Sequence, residues 1–502
     1  MAENAKTTAA APAAAKKKTV SPGVLALRKV VDDVHAEARV AKKEGKLVGW
    51  SSSKFPCELA AAFDLNVMYP ENQAAGIAAN RDGEIMCQAA EDLGFDNDIC
   101  GYARISLAYA AGKRASRKVD LETGEFVINP NSGKPLKDEN GNVVIDPETG
   151  KPKKDPKTQV PYTVLDDIHE IEALPETTEK EIAYKNFRRE AIKPYKQMRI
   201  PQPDFVLCCN NICNCMTKWY ENIARMCNIP LIMIDIPYNN TVEVHDSNVA
   251  YVRAQFDNAI HQLEELTGKK FDEKKFEDAC ASANRTAKAW LKVCDYLQYK
   301  PSPMSGFDLF NHMADVVTAR ATKAAGDAFE LLAQDLEKNI KEGTSTLPFS
   351  EEYRVMFEGI PCWPKLPNLF KPLKQNGINV TAVVYAPAFG FVYNGLDEMA
   401  RAYYKAPNSV CIEQGVDWRE GICRENKVDG VLVHYNRSCK PWSGYMAEMQ
   451  RRFTADLGVP CAGFDGDQAD PRNFNEAQYE TRVQGLVEAM EQNAKNKAAK
   501  EG

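Results

Sequence analysis

The sequence predicts an α/β protein with two parallel-sheet lobes and a helical region that connects and covers them. Three observations carry this expectation. Short apolar runs alternate with stretches of helical periodicity, the pattern of parallel α/β architecture. The alternation occurs twice, before about residue 245 and again after about residue 346. Between the two sets lies a long stretch with helical spacing and no strand signal.

Residues 1–20 are rich in Ala and Lys and have little to bury, so a disordered tail is expected there. The first lobe, 21–245, contains a short strand at Leu47–Trp50 that breaks into Ser51-Ser52-Ser53. A helix from Phe55 to Leu65 follows, opened by Pro56, a residue tolerated in a first turn. Strands at Asp204–Cys208 and Leu231–Asp235 flank a helical pattern at Met216–Cys227, which makes a βαβ unit. Within this lobe, residues 118–157 alternate short β patches with Thr-Gly and Asn-Gly turn dipeptides. This reads as a surface insertion of successive hairpins.

The helical region, 246–345, carries Phe256, Ile260 and Leu263, then Ala289, Leu291 and Val293, on apolar stripes. Pro301-Ser-Pro303 interrupts it. The second lobe, 346–490, has strands at Arg354–Phe357, Asn379–Tyr385, Gly430–His434 and Ala462–Phe464, and a closing helix at Glu476–Asn493. Residues 491–502 are expected to fray.

The chain has 502 residues, a net charge of −7 and 44% hydrophobic residues, enough for globular lobes and no electrostatic ground for nucleic acid. It shows no secretory h-region and no apolar run of ~18 residues, so neither secretion nor a membrane span is expected. The expected location is cytoplasmic. There, fifteen cysteines are not a disulfide framework; metal binding, catalysis or burial remain.

Three cysteine groups stand out: Asp98-Ile-Cys-Gly-Tyr-Ala-Arg around Cys100, Leu207-Cys-Cys-Asn-Asn-Ile-Cys-Asn-Cys215, and His434-Tyr-Asn-Arg-Ser-Cys-Lys440. The last two follow predicted strands, where α/β ligands gather. Thiolates from three distant segments point to a soft-metal or iron–sulfur site. The spacing from Cys208 to Cys215 matches no common zinc knuckle, and six histidines leave few nitrogen ligands. A cubane on three thiolates would keep one iron open as a Lewis acid. Cys227, Cys280, Cys294, Cys411 and Cys423 read as ordinary packing thiols.

Together with Gly49-Trp-Ser-Ser-Ser-Lys-Phe-Pro, Tyr69-Pro-Glu-Asn-Gln-Ala-Ala-Gly, Phe357-Glu-Gly-Ile-Pro-Cys-Trp-Pro and Gly463-Phe-Asp-Gly-Asp-Gln-Ala-Asp-Pro-Arg, these segments resemble the 2-hydroxyacyl-CoA dehydratase family over about residues 20–490. The resemblance implies a [4Fe-4S] cluster held between the lobes by Cys100, Cys213 and Cys439, with Cys208, Cys209 and Cys215 as second choices. It implies a catalytic hydroxyl at Ser53 near the open iron and a catalytic carboxylate at Glu71 beside the substrate hydroxyl. Without it, Ser53 reads as a helix N-cap and Glu71 as a solvated loop residue. A heterodimer with a related β subunit and a separate ATP-hydrolysing [4Fe-4S] activator are also implied, and FMN or riboflavin is a family expectation without a motif in this chain.

The implied reaction is reversible syn elimination of water from 2-hydroxyglutaryl-CoA to glutaconyl-CoA. Its difficulty is that the departing proton sits on the unactivated β carbon. One electron added to the thioester gives a ketyl radical anion that expels the α hydroxyl, and the resulting enoxy radical has a far more acidic β proton. The electron is returned at the end. Same-family reduction of an acyl-CoA and a non-catalytic electron-relay subunit are the competing readings. For substrate binding, Lys54, Arg104 and Lys365 are the candidates. Lys54 follows Ser53 and interrupts an uncharged segment, so it is expected to match a distal carboxylate, with Lys365 or Lys440 as alternatives; a solvated lysine is its bland reading. Cys362 and His434 read mainly as packing residues, with cavity lining and proton transfer as lesser roles.

Overall fold

The structure is a computed structural model, and it describes residues 20–501 apart from residue 121, residues 194–198 and residue 408. The expected disordered tail, 1–20, lies outside the described residues except for Val20.

In chain order the strands are β1 (Val48–Ser51), β2 (Asn66–Met68), β3 (Lys113–Arg117), β4 (Thr163–Asp167), β5 (Phe205–Cys209), β6 (Leu231–Ile234), β7 (Tyr353–Glu358), β8 (Ile378–Val383), β9 (Gly430–Asn436) and β10 (Cys461–Gly466). The first lobe is a parallel sheet of order β2-β1-β5-β6, and the second is a parallel sheet of order β10-β9-β7-β8. Counted within each lobe, the two orders are the same. In both, the first strand is central and the chain leaves it first to one side, then to the other. That reversal opens a crevice beyond the carboxyl end of the first strand. Ser53 lies just past β1, at this position.

β1 is fully buried, and Gly49 is required in it: an added Cβ would stand 2.3 Å from the Phe205 ring of β5. Beyond the strand, Ser52 continues the pairing, its N–H donating to Leu207 O (2.9 Å) while its Oγ accepts from Cys209 N (3.0 Å). The helix expected over 55–65 is shorter, Cys57–Ala61. Asp64 takes φ +57°, a left-handed conformation that ends helical continuation and turns the chain into β2.

The expected hairpin insertion is an exposed arm. It grows from the antiparallel pair β3–β4, with further antiparallel bridges at Val119–Phe126, Pro135–Lys154 and Ile145–Pro152. Four long helices, Asp246–Thr267, Glu273–Asp295, Gly306–Thr318 and Lys323–Glu342, form the helical region. The N-terminal helix Pro22–Lys43, capped by Ser21, joins this layer by packing: Leu27 and Val30 share a core with Phe329 and Leu332. The final helix runs from Glu476 to Glu501, past the end expected at Asn493. Residues 491–501 lack Gly and Pro and are mostly Ala, Lys and Glu, all good helix formers. One hydrophobic core contains Trp50, Val206 and Cys208 of the first lobe together with Met356, Val431 and Val433 of the second. No helix among the described residues is long and apolar enough to cross a membrane.

Candidate active site

Several candidate residues gather beyond the carboxyl ends of β1, β2, β5, β8 and β9. Glu71 lies in the first turn of the helix Pro70–Ala79, directly after β2. Ser53 grips its carboxyl twice, with the backbone N–H to Oε1 (2.7 Å) and the hydroxyl to Oε2 (2.5 Å). Tyr220 donates to Ser51 O at 2.9 Å and stands 3.5 Å from Glu71 Oε1. Burial pushes the Glu71 carboxyl up to about 7, against the opposing pull of the Ser53 and Tyr220 hydrogen bonds and the Lys54 charge. A carboxyl poised there can both give and take a proton near neutrality. Ser53 is therefore no helix N-cap, and Glu71 is no solvated loop residue; both line a cavity of about 270 Å³.

That cavity is mostly apolar, with Phe310, Met313, Ala314 and Val317 of the helix Gly306–Thr318 on one side and Trp363, Tyr385 and Phe389 of the second lobe on another. Tyr102 and Asn72 complete its polar wall.

Lys54 is buried, 3% exposed, rather than solvated. Its Nζ donates to Ala388 O (2.5 Å) and lies 4.8 and 4.5 Å from the Phe389 and Phe391 ring centroids. Among the described residues no carboxylate forms an ion pair with it. Burial, helped by the Arg320 charge, lowers it to about 7. It lines a small neighbouring cavity that shares Tyr385 and Phe389 with the larger one. Arg320 itself is committed elsewhere: it pairs with buried Glu58 (3.2 Å) and donates to Tyr403 Oη (2.9 Å), while Tyr393 donates to the same carboxylate (2.7 Å).

Cys100 precedes the helix Gly101–Ala110, Cys213 lies in the turn after β5, and Cys439 follows β9. The three come together, and Cys215, at the start of the helix Cys215–Cys227, joins them. Burial is the main cause that raises the Cys100 thiol, followed by the neighbouring Cys215, Cys439 and Cys213. Cys213 responds the same way, and Cys439 is raised to about 12. Glu71 also raises Cys213, so carboxyl and thiols share one region.

Among the described residues no three His, Cys, Asp or Glu side chains converge tightly enough to hold a single metal ion. A multi-iron cluster is wider than one ion, so thiolates that share it stand further apart. The donor set suits such a group: soft thiolates, two of them at helix N-termini that favour negative charge, and Gln468 Nε2 donating to Cys100 Sγ at 3.3 Å. The lobes are also tied here. Gly101 N donates to Ser438 Oγ (2.9 Å), and a Cβ on Gly101 would stand 2.7 Å from Asp467 Oδ1.

Other candidates lie apart. Arg104, expected at the substrate, is fully buried, with Nη1 on Glu91 (2.6 Å) and Asp470 (3.0 Å), Nε on Ile99 O (3.0 Å), and Nη2 without a partner among the described residues. Lys365 ends the turn Trp363–Lys365 and is not among the residues lining the cavity. Lys440 pairs with Asp98 at the surface (2.6 Å). Cys208 and Cys209 are buried in β5, and Cys362 is in the core shared by the second lobe and the helices. His434 stacks flat on Phe464 (4.6 Å, 1°), with Nδ1 2.6 Å from Ile360 O; burial lowers it to about 4, so it stays neutral. Sequence reasoning missed Tyr220, Tyr102 and Tyr385. Tyr102 stood inside the Cys-Gly-Tyr segment, and Tyr385 at a predicted strand end, so position rather than residue type was the available signal.

Residues 172–490 match the family described as 2-hydroxyglutaryl-CoA dehydratase, D-component. The chain belongs to this family. It is 72% identical over 480 residues to the (R)-2-hydroxyglutaryl-CoA dehydratase subunit alpha of Acidaminococcus fermentans, covering 96% of this chain and 99% of that protein. The (R)-phenyllactyl-CoA dehydratase alpha subunit of Clostridium sporogenes is 44% identical, covering 92% of this chain and 94% of that protein. A benzoyl-CoA reductase subunit of Thauera aromatica is 25% identical over 58% of this chain and 72% of that protein.

Proposed function

We propose that this chain is the α subunit of a (R)-2-hydroxyglutaryl-CoA dehydratase, a hydro-lyase that forms glutaconyl-CoA. The observation that carries the reading is the Ser53–Glu71 pair, which faces the same crevice as Cys100, Cys213 and Cys439 and titrates near neutrality. A [4Fe-4S] cluster held by these three cysteines would supply the one-electron chemistry that lets the thioester expel its α hydroxyl. Glu71 then protonates the departing hydroxyl, and Ser53 keeps the carboxyl aimed at it. The apolar wall of the helix Gly306–Thr318 excludes water from the acyl end. Lys54 is the cation assigned to the distal carboxylate.

The reading needs two further proteins: the partner implied by relatives named as alpha subunits, and an ATP-dependent activator, because this chain has no G-x-x-x-x-G-K-[ST] run to cradle phosphates. The site is expected in the cytoplasm of an anaerobe, where an incompletely ligated cluster survives. The test is anaerobic reconstitution with the partner subunit, activator and ATP. Formation of glutaconyl-CoA from (R)-2-hydroxyglutaryl-CoA supports the proposal. A reduced acyl-CoA as the product, or sustained turnover by this chain alone, refutes it.

A further inference from the structure

Three hydroxyls line the cavity beside Glu71: those of Ser53, Tyr102 and Tyr385. One has spent its hydrogen. Ser53 gives its own to Glu71 Oε2. Tyr102 Oη accepts from Trp363 Nε1 and stands beside Tyr385. The contact Trp363–Tyr102–Tyr385 crosses the crevice from the second lobe to the first and back. Among the described residues no carbonyl or carboxylate accepts the Tyr385 hydrogen.

The ring that carries it is fixed. Trp442 and Phe389 stand edge-on to Tyr385 at 5.7 and 5.9 Å, with interplanar angles of 84° and 86°. An O–H donor held by its neighbours in an otherwise apolar wall is suited to an oxygen that gains charge during reaction. The substrate offers one such oxygen, the thioester carbonyl, where the added electron concentrates negative charge.

We propose that Tyr385 is a catalytic residue whose hydroxyl donates a hydrogen bond to the thioester carbonyl oxygen, with Tyr102 and Trp363 as the residues that position it. The inference rests on the dehydratase reading above. It assigns an oxygen partner to a site where Glu71 already serves the departing hydroxyl, so the carbonyl and the hydroxyl of one substrate are held by different lobes.

The experiment uses the complete complex with its partner subunit and an acyl-CoA carrying a carbonyl label, read by infrared difference spectroscopy. In the wild type the bound carbonyl band should lie below its position in water. In Tyr385→Phe it should move back up, while kcat falls about 10²- to 10³-fold with little change in KM. Tyr102→Phe, which leaves the Tyr385 hydroxyl in place but unsteered, should give a smaller shift and a smaller loss. Equal carbonyl bands in wild type and both variants, with acyl-CoA bound to all three, overturn the assignment of Tyr385 and leave the dehydratase reading standing. Failure of the wild-type complex to bind any acyl-CoA overturns both.

Discussion

Lys54 and Glu71 are neighbours that burial drives to nearly the same pKa from opposite directions, and this has two consequences for single residues. The first concerns stability. Lys54 falls from 10.5 to about 7, so between those values the unfolded chain holds a proton that the folded chain has lost. Stability then rises with pH by about 1.4 kcal/mol per unit, and the full penalty is present below 7. Glu71 acts in the window from 4.5 to about 7 with the opposite sign: the folded chain holds the extra proton, and stability falls as pH rises. Lys54→Met removes the first slope. Its melting temperature should exceed the wild type's at pH 6–7, and the two should converge toward pH 10. The second consequence is specificity. Lys54→Met should raise KM for 2-hydroxyglutaryl-CoA roughly thirty-fold, about 2 kcal/mol, and spare an uncharged 2-hydroxyacyl-CoA of similar length. Equal loss on both substrates would make Lys54 structural. Nearby, Glu58→Gln leaves buried Arg320 unmatched and should cost about 3–5 kcal/mol. A double replacement by Met should recover much of that in the same denaturation assay.

At the scale of elements, the ends of β1, β5 and β9 were readable because each is a short, buried run closed by Ser, Cys or Asn. β3 and β4 were not. Lys113-Arg-Ala-Ser-Arg117 looks like a charged loop because only Ala115 and Ser116 of that strand are buried. β2 escaped for a different reason: it has only three residues and borrows its order from β1. The thiol positions were legible through their motifs, whereas Tyr385 was not, since nothing local to a tyrosine after a strand says where its hydrogen will point. The exposed arm offers a test of independence. Arg117 pairs with Thr163, so a two-residue Asn-Gly turn can replace residues 118–162. This forfeits the Phe126–Phe187 stack at 5.4 Å, worth about 1 kcal/mol. The shortened protein should lose only a few degrees in melting temperature and keep its activity. Loss of activity with retained folding would mark the arm as a contact for the partner or the activator.

At the scale of the whole molecule, the site is a seam. Ser53, Glu71, Cys100 and Cys213 come from the first lobe, and Cys439 and Tyr385 come from the second. A core that mixes both sheets holds them in register. Substituting Ser for Cys100, Cys213 or Cys439 should strip iron and activity yet leave circular dichroism and the contact with the partner subunit largely intact. Full iron retention in Cys213→Ser would remove it from the ligand set.

That the three thiols belong to such distant segments also constrains the order in which a cell can make this protein. During synthesis at roughly 5–20 residues per second, Cys100 leaves the ribosome some tens of seconds before Cys439. On the proposed ligand set, once Cys213 has also emerged, two thiols meant for one cluster wait for the third, on a lobe not yet made. A cluster delivered to the nascent chain would find an incomplete cradle, so assembly must follow release. The waiting thiols must meanwhile be kept reduced and unmetallated, which makes the supply of thiol reductant during translation, rather than iron alone, the condition for a high yield of loaded protein.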